Sequence, residues 1–238
     1  MRRTLRALAA LLGYPSAELQ AAVPEIREAF AAEGALPRAA RRRLEPLLDR
    51  LVGAELLDLQ ADYSELFDRS RSLSLHLFEH VHGDSRERGQ AMIDLGRTYG
   101  ERGFLLEGPE LPDFVPVFVE FASCLPRDEA RAMLGEPAHV LAALDERLAK
   151  RGSPYAAVLG ALTALAGARP DAEALADLAA RAPEDDPSRI DEEWEEAAVT
   201  FTGPQEMGGP TGMTARLRAA GKAMAGGRSD ARSGRRSR

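Results

Sequence analysis

The 238-residue sequence is poor in several things that narrow what it can be. It holds one cysteine, Cys124, and one tryptophan, and aromatic residues make up only 5% of it. A lone cysteine excludes an internal disulfide and cannot build a thiolate-rich metal site unaided, so a reducing compartment, the cytoplasm, is the expected location. No membrane insertion is expected either. The uncharged stretch from Gly152 to Ala168 is rich in Ala and Gly, carries Pro154 near its start, and reads as a buried core helix rather than a span. Arg2, Arg3 and Arg6 precede a Leu-Ala run that superficially resembles a leader peptide. That run stops at Gly13-Tyr14-Pro15 after roughly seven residues, at the short limit for a signal core, and fits a first amphipathic helix closed by glycine better. A concentrated basic face is also missing. With 38 Asp and Glu against 31 Lys and Arg, the formal net charge is −7, which argues against a nucleic-acid partner.

What is present is helical material. Hydrophobic residues are 45% and charged residues 29% of a chain long enough to bury a substantial core, and Ala, Leu, Arg and Glu dominate. The pattern predicts an all-α fold: a single multi-helix bundle of roughly eight to ten helices over residues 1–182. Residues 183–238 are expected to form an acidic linker and a Gly/Arg-rich, disordered tail.

Helices are expected from Thr4 to Leu12, from Ser16 to Glu33 and from Pro37 onward, with Pro24 and Pro46 kinking or dividing them. Leu56, Leu59, Tyr63, Leu66 and Phe67 share a face of a helix from Glu55 to about Asp68, and a second apolar helix runs from about Leu73 to Val81. Gly83 should end it, and Asp84 with Glu87 forms a capping-box pattern for a helix with Met92, Leu95 and Tyr99 inward. Residues 104–112 read as a loop. Asp113 is the expected cap of a helix carrying Val117, Phe118, Phe121 and Leu125 inward. Four more helices fit Arg127 to Leu134, Pro137 to Lys150, Pro154 to Ala166 and Asp171 to Arg181. No internal repeat or strand-rich region is evident.

Few residues suggest catalysis. His76-Leu77-Phe78-Glu79-His80 matches the H-x-x-E-H arrangement of inverted zinc proteases, in which two histidines four apart on one helix face grip the metal and the glutamate acts as base. No local pattern marks a third ligand, and the strands of that protease class are missing. The alternative is that Leu73, Leu77, Phe78 and Val81 bury the segment while His76, His80 and His82 make polar contacts. Gly221-Lys222 lacks the spacing of a phosphate loop. Cys124 reads as a small buried residue rather than a nucleophile. The acidic run around Trp194 reads as a solvated linker, with cation or basic-peptide binding as the alternative. No metal or cofactor site is therefore assigned, and the chain is not expected to be an enzyme. One segment, Tyr63 to Met92, is unusual in crowding Asp68, Arg69, Arg71, Asp84, Arg86, Glu87, Arg88 and Gln90 around two apolar stretches. A core needs only the apolar stripe, whereas a binding surface needs both.

That segment carries a family resemblance. Leu57-Asp58-Leu59-Gln60-Ala61-Asp62-Tyr63, Leu66-Phe67-Asp68-Arg69, Ser74-Leu75, Leu77 through Arg86 and Arg88-Gly89-Gln90-Ala91-Met92 resemble the nitrate reductase molybdenum cofactor assembly chaperones of the NarJ type, within the redox-enzyme maturation chaperones. Glu110 to Asp113, leading into Val117 to Phe121, and Leu12 to Pro15 echo it more weakly. The likeness is clear over roughly residues 5–125 and looser through Val199-Thr200-Phe201. The family pattern has no histidine at the position of His76, and the carboxyl-terminal third departs from it.

The resemblance implies a cytoplasmic helical chaperone that binds the immature catalytic subunit of a membrane-bound nitrate reductase through an amino-terminal segment and a second region. It would keep the subunit competent for molybdenum cofactor insertion, delay membrane docking, and stay out of the finished enzyme. In physical terms, a basic amphipathic segment would lie as a helix in an apolar groove. The groove is expected beside Tyr63, Phe67, Leu73, Leu77 and Phe78, with Asp68, Glu79, Asp84 and Glu87 as an acidic rim. Arg69, His80, His82, Gly83, Arg86, Arg88 and Gln90 complete the candidate surface, and several of these residues could equally be core. Burying three or four side chains yields about 5–10 kcal/mol gross against an association cost of at least about 4, so binding should be micromolar to high nanomolar and reversible. The block Phe78 to Asp84 favours nitrate reductase over dimethyl sulfoxide or trimethylamine oxide reductase as the system served.

Overall fold

The computed structural model describes residues 1–83, 85–106 and 108–180, and every regular element among them is helical. In chain order these are α1 (Arg2–Leu11), α2 (Ala17–Glu33), α3 (Arg38–Gly53), α4 (Leu56–Phe67), a 3-10 turn (Arg71–Leu73), α5 (Leu77–His82), α6 (Arg86–Glu101), α7 (Val115–Cys124), α8 (Arg127–Gly135), α9 (Ala138–Lys150), α10 (Ala156–Leu165) and α11 (Ala172–Ala180). Eleven α-helices stand among the described residues against the expected eight to ten, with Pro126 and Pro137 at the heads of α8 and α9 as the sequence suggested. The acidic and Arg-rich segments expected in the tail lie outside the described residues, as does Asp84.

The uncharged stretch forms the centre. In α10, Ala156, Ala157, Val158, Leu159, Ala161, Leu162 and Leu165 are all buried, and the helix packs against α9, α3 and α1. Gly160 allows this approach. A Cβ there would sit 2.6 Å from an Asp145 carboxylate oxygen and 2.7 Å from the Arg43 guanidinium, which pair with each other at 2.9 Å across the helix. The other face of α1 lies on α7, so a single apolar core runs from Leu5 to Leu178. No described helix is long and apolar enough to cross a membrane.

Local signals decide both ends of α2. Ser16 accepts a 3.2 Å hydrogen bond from the Leu19 amide and caps α2, and Gly34 closes it in the left-handed region. Helix α1 has no cap of its own. Glu33 supplies one from the end of α2, accepting the Arg3 and Thr4 amides at 3.1 and 2.7 Å and the Thr4 hydroxyl at 2.6 Å, with the Met1 ammonium at 2.7 Å. Burial alone would raise this carboxyl, but those donors outweigh it and hold it at about 2.

Several expectations are corrected. Pro24 and Pro46 divide neither α2 nor α3, because apolar residues on both sides of each proline, Val23 with Ile26 and Leu44 with Leu47, are locked in the core. The helix expected from Leu73 to Val81 is instead a 3-10 turn, an extended step and the short α5. Its amides are taken by a distant segment: the Leu77 and Phe78 amides donate to the Asp113 carbonyl at 3.1 Å and carboxylate at 3.0 Å, and the Val115 amide donates to the Leu75 carbonyl at 2.8 Å. Asp113 therefore ties α5 to α7 and does not cap α7, whose cap position is held by Phe114 without a side-chain bond. Helix α6 begins after Ser85, again without a side-chain cap bond. Cys124, expected inside, is exposed at the end of α7, where Phe121 and Ala122 take the inward positions.

Candidate functional site

Tertiary hydrogen bonds fix the segment that carries the family resemblance. Asp113 is fully buried, and besides the Phe78 amide it holds the His76 ring, with Nδ1 3.2 Å from its carboxylate. This bond raises the His76 pKa above its usual 6.5 despite partial burial. His80 points the other way, its Nε2 2.8 Å from the Ser74 carbonyl, and burial lowers its pKa. The zinc-protease reading fails on this geometry. His76 precedes α5 with extended backbone, so the two rings do not share a helix face, and each is held by a protein partner. Glu79, the base of that scheme, pairs with Arg88 at 2.9 Å.

On either side of this knot the candidate surface divides. Tyr63 and Phe67 on α4 belong to a buried aromatic cluster: their ring centroids are 4.8 Å apart, and Tyr155 lies 6.0 and 5.2 Å from them. The Tyr63 hydroxyl donates to the Leu12 carbonyl at 2.8 Å, and burial raises its pKa. Leu73 is wholly buried. Asp68 and Arg69 are exposed at the end of α4, with Arg69 on Glu65 at 2.7 Å. None of these five residues lines the apolar cavity that Leu77 and Phe78 floor.

Leu77 and Phe78 themselves floor an apolar cavity of about 220 Å³ between α5, α6, α7 and α8. Leu95, Phe118, Phe121 and Leu125 form its walls, and Ala132 and Met133 of α8 close one side. The polar edge consists of Thr98, Arg102, Glu129 and Glu136, with the Arg102 guanidinium 2.7 Å from Glu129. Such a lining can take aliphatic or aromatic side chains of a partner and orient them by a few charges at the mouth.

A second, polar cleft adjoins it, because Ala132 and Glu136 line both. His82, Asp128, Arg131, His139, Arg169 and Asp171 contribute to this cleft of about 740 Å³. The His82 side chain is 7% exposed, with Nδ1 3.8 Å from Glu87, while its buried Nε2 has no hydrogen-bond partner among the described residues. Gly83 ends α5 at φ 53°, ψ −134°, a conformation only glycine adopts readily. Arg86, Glu87 and Gln90 are exposed on the first turns of α6.

Leu77, Phe78, Phe118, Phe121 and Leu125 stand out in the sequence as apolar residues of this cavity, whereas the α8 side, namely Glu129, Ala132, Met133 and Glu136, does not. Nothing in RDEARAMLG distinguishes a cavity wall from an ordinary amphipathic helix.

Comparison with known proteins gives this surface a context. The family described as nitrate reductase delta subunit matches residues 15–160. The chain is 44% identical over 192 residues to the nitrate reductase molybdenum cofactor assembly chaperone NarJ of Escherichia coli K12, covering 80% of this chain and 81% of that one. It is 42% identical over 165 residues to NarW of the same organism, proposed to be a chaperone of the same kind, covering 67% of this chain and 71% of NarW. An Archaeoglobus fulgidus crystal structure, of a protein proposed to act in redox enzyme maturation, superposes with a TM-score of 0.49 at 20% identity, over 68% of this chain and 91% of that one. The chain belongs to the nitrate reductase delta subunit family, among its NarJ-type molybdenum cofactor assembly chaperones.

Proposed function

We propose that this protein is a maturation chaperone that binds the immature catalytic subunit of a membrane-bound respiratory nitrate reductase in the cytoplasm. It promotes molybdenum cofactor insertion, delays membrane docking, and leaves before the enzyme is complete. The observation that carries this reading is the 44% identity to an assembly chaperone across four-fifths of both chains. The named relatives are chaperones, not catalysts, and the site is built for holding: an apolar cavity at the centre and charges at its edge.

The amino-terminal segment of the catalytic subunit is the proposed ligand. Its apolar side chains enter the cavity floored by Leu77 and Phe78, and its basic groups meet Glu129 and Glu136. The surface formed by Glu79, Gly83, Arg86, Glu87, Arg88 and Gln90 is the proposed second contact, together with His82 and Asp84. Buried Tyr63, Phe67, Leu73 and His80 are proposed to act through packing alone, and exposed Asp68 and Arg69 at the end of α4 as a separate contact.

The test is capture of tagged protein from nitrate-respiring cells, with mass spectrometry and metal analysis of the bound fraction. A nitrate reductase catalytic subunit low in molybdenum is the expected partner. Recovery of a different molybdoenzyme subunit, or of the fully loaded reductase, refutes the assignment.

A further inference from the structure

The apolar cavity and the chain beyond α11 have complementary chemistry. Residues 1–180 carry 21 Lys and Arg against 28 Asp and Glu, a net charge of −7, whereas residues 207–238 carry eight against one, a net +7. Within that basic stretch, Met213-Thr214-Ala215-Arg216-Leu217-Arg218-Ala219-Ala220-Gly221-Lys222-Ala223-Met224 places Met213, Leu217, Ala220 and Met224 at i, i+4, i+7 and i+11. This is the spacing of one helical face, and Arg218 and Lys222 fall on the opposite side. The segment thus has the chemistry proposed above for the target: a few apolar side chains backed by cations. Methionine and leucine suit an irregular apolar cavity, and the mouth of this one carries Glu129 and Glu136.

Reach is no obstacle. Helix α11 ends at Ala180, its start (Ala174, with Asp171 just before it) lines the cleft that shares Ala132 and Glu136 with the apolar cavity, and 32 residues (181–212) precede Met213. The random-coil relation gives a mean end-to-end distance of roughly 30 Å for 32 residues.

We infer that residues 213–224 occupy the apolar cavity when no client is bound, as a built-in competitor that the reductase segment displaces. The inference rests on the client site proposed above. A tethered segment meets its site at an effective concentration of about 1 mM, so one that would bind in trans with a Kd of about 100 µM fills the cavity roughly nine-tenths of the time and weakens client binding about 10-fold. Weak or partial clients would be excluded, and a released client would be kept from rebinding.

The test uses the full-length chain, with a nitroxide on the single exposed cysteine, Cys124, which adjoins the cavity-lining Leu125. Amide NMR signals of residues 213–224 should lose intensity selectively relative to residues 227–238, and the double substitution Leu217→Glu with Met224→Glu should restore them. A synthetic peptide copying the amino-terminal segment of the reductase catalytic subunit should bind the double variant about 10-fold more tightly than the native chain. Uniform intensities along the tail, with equal peptide affinities, overturn the inference while leaving the proposed client intact. Selective, substitution-sensitive broadening with no peptide binding to either protein supports the tail's place in the cavity and refutes the client assignment instead.

Discussion

Replacing Asp113 with alanine tests whether one buried carboxylate organises the candidate surface. The side chain is fully buried and accepts two hydrogen bonds, from the Phe78 amide at 3.0 Å and from His76 at 3.2 Å. A hydrogen bond to a charged group contributes about 1.5–3 kcal/mol, and an amide left without a buried partner costs about 1–3 kcal/mol more. Asp113→Ala should therefore destabilise the protein by about 3–5 kcal/mol, a fall in Tm of roughly 10 °C for a domain of this size. Asp113→Asn keeps an acceptor for the Phe78 amide and should lose about 1–2 kcal/mol. Urea unfolding followed by circular dichroism measures both, with the midpoint moving and the slope unchanged.

A pH series adds an independent check on the same contact. Because Asp113 raises the folded-state pKa of His76, this histidine's contribution to stability is fully present below pH 6.5 and is lost as pH rises through the folded value. His80 runs oppositely, since burial lowers its pKa: its contribution is present above pH 6.5 and lost as pH falls through the folded value. The His76 component should vanish in Asp113→Ala while that of His80 persists. A loss below about 1 kcal/mol for the alanine variant, or equal losses for alanine and asparagine, would refute the argument that Asp113 is the tie between α5 and α7.

Three further outcomes follow from the same geometry. Ala132 is exposed and lines the apolar cavity, so Ala132→Trp should block it, weakening reductase-peptide binding at least about 10-fold by calorimetry at a folding cost under about 1 kcal/mol. Native affinity in that variant would mean the client binds elsewhere. Glu33 is held at about 2 against its usual 4.5, so it contributes at most about 3 kcal/mol above pH 4.5, which disappears as pH falls toward 2. Glu33→Gln should lower stability at pH 7 and flatten that acid limb, and an unchanged acid limb would refute the capping role. If Glu129 and Glu136 orient a basic client, raising salt from 0.05 to about 0.5 M should weaken peptide affinity severalfold, and a flat response would exclude them.

Much of this molecule was legible in the order of its residues. Helical periodicity, the glycine stop at Gly83 and the uncharged α10 all act within a few residues, so their consequences could be read locally, and the block from Tyr63 to Met92 carried the family likeness. The fate of that block could not be read so. Asp113 lies 35 residues from Phe78, and its claim on the Phe78 amide broke an expected helix, separated His76 from His80 and removed the zinc reading. Tyr63 and Phe78 look alike as aromatic residues in a helical pattern, yet one joins the Tyr155 cluster and the other floors the cavity. The cavity itself depends on α8 meeting α5, α6 and α7, with Ala132 leaving space where a larger side chain would fill it. Most helices and the family could be read from residue order, because periodicity and motif spacing are short-range. Only the tertiary structure decided which apolar residues face one another and which face a client, because burial is a property of the packed assembly of helices and not of any one of them.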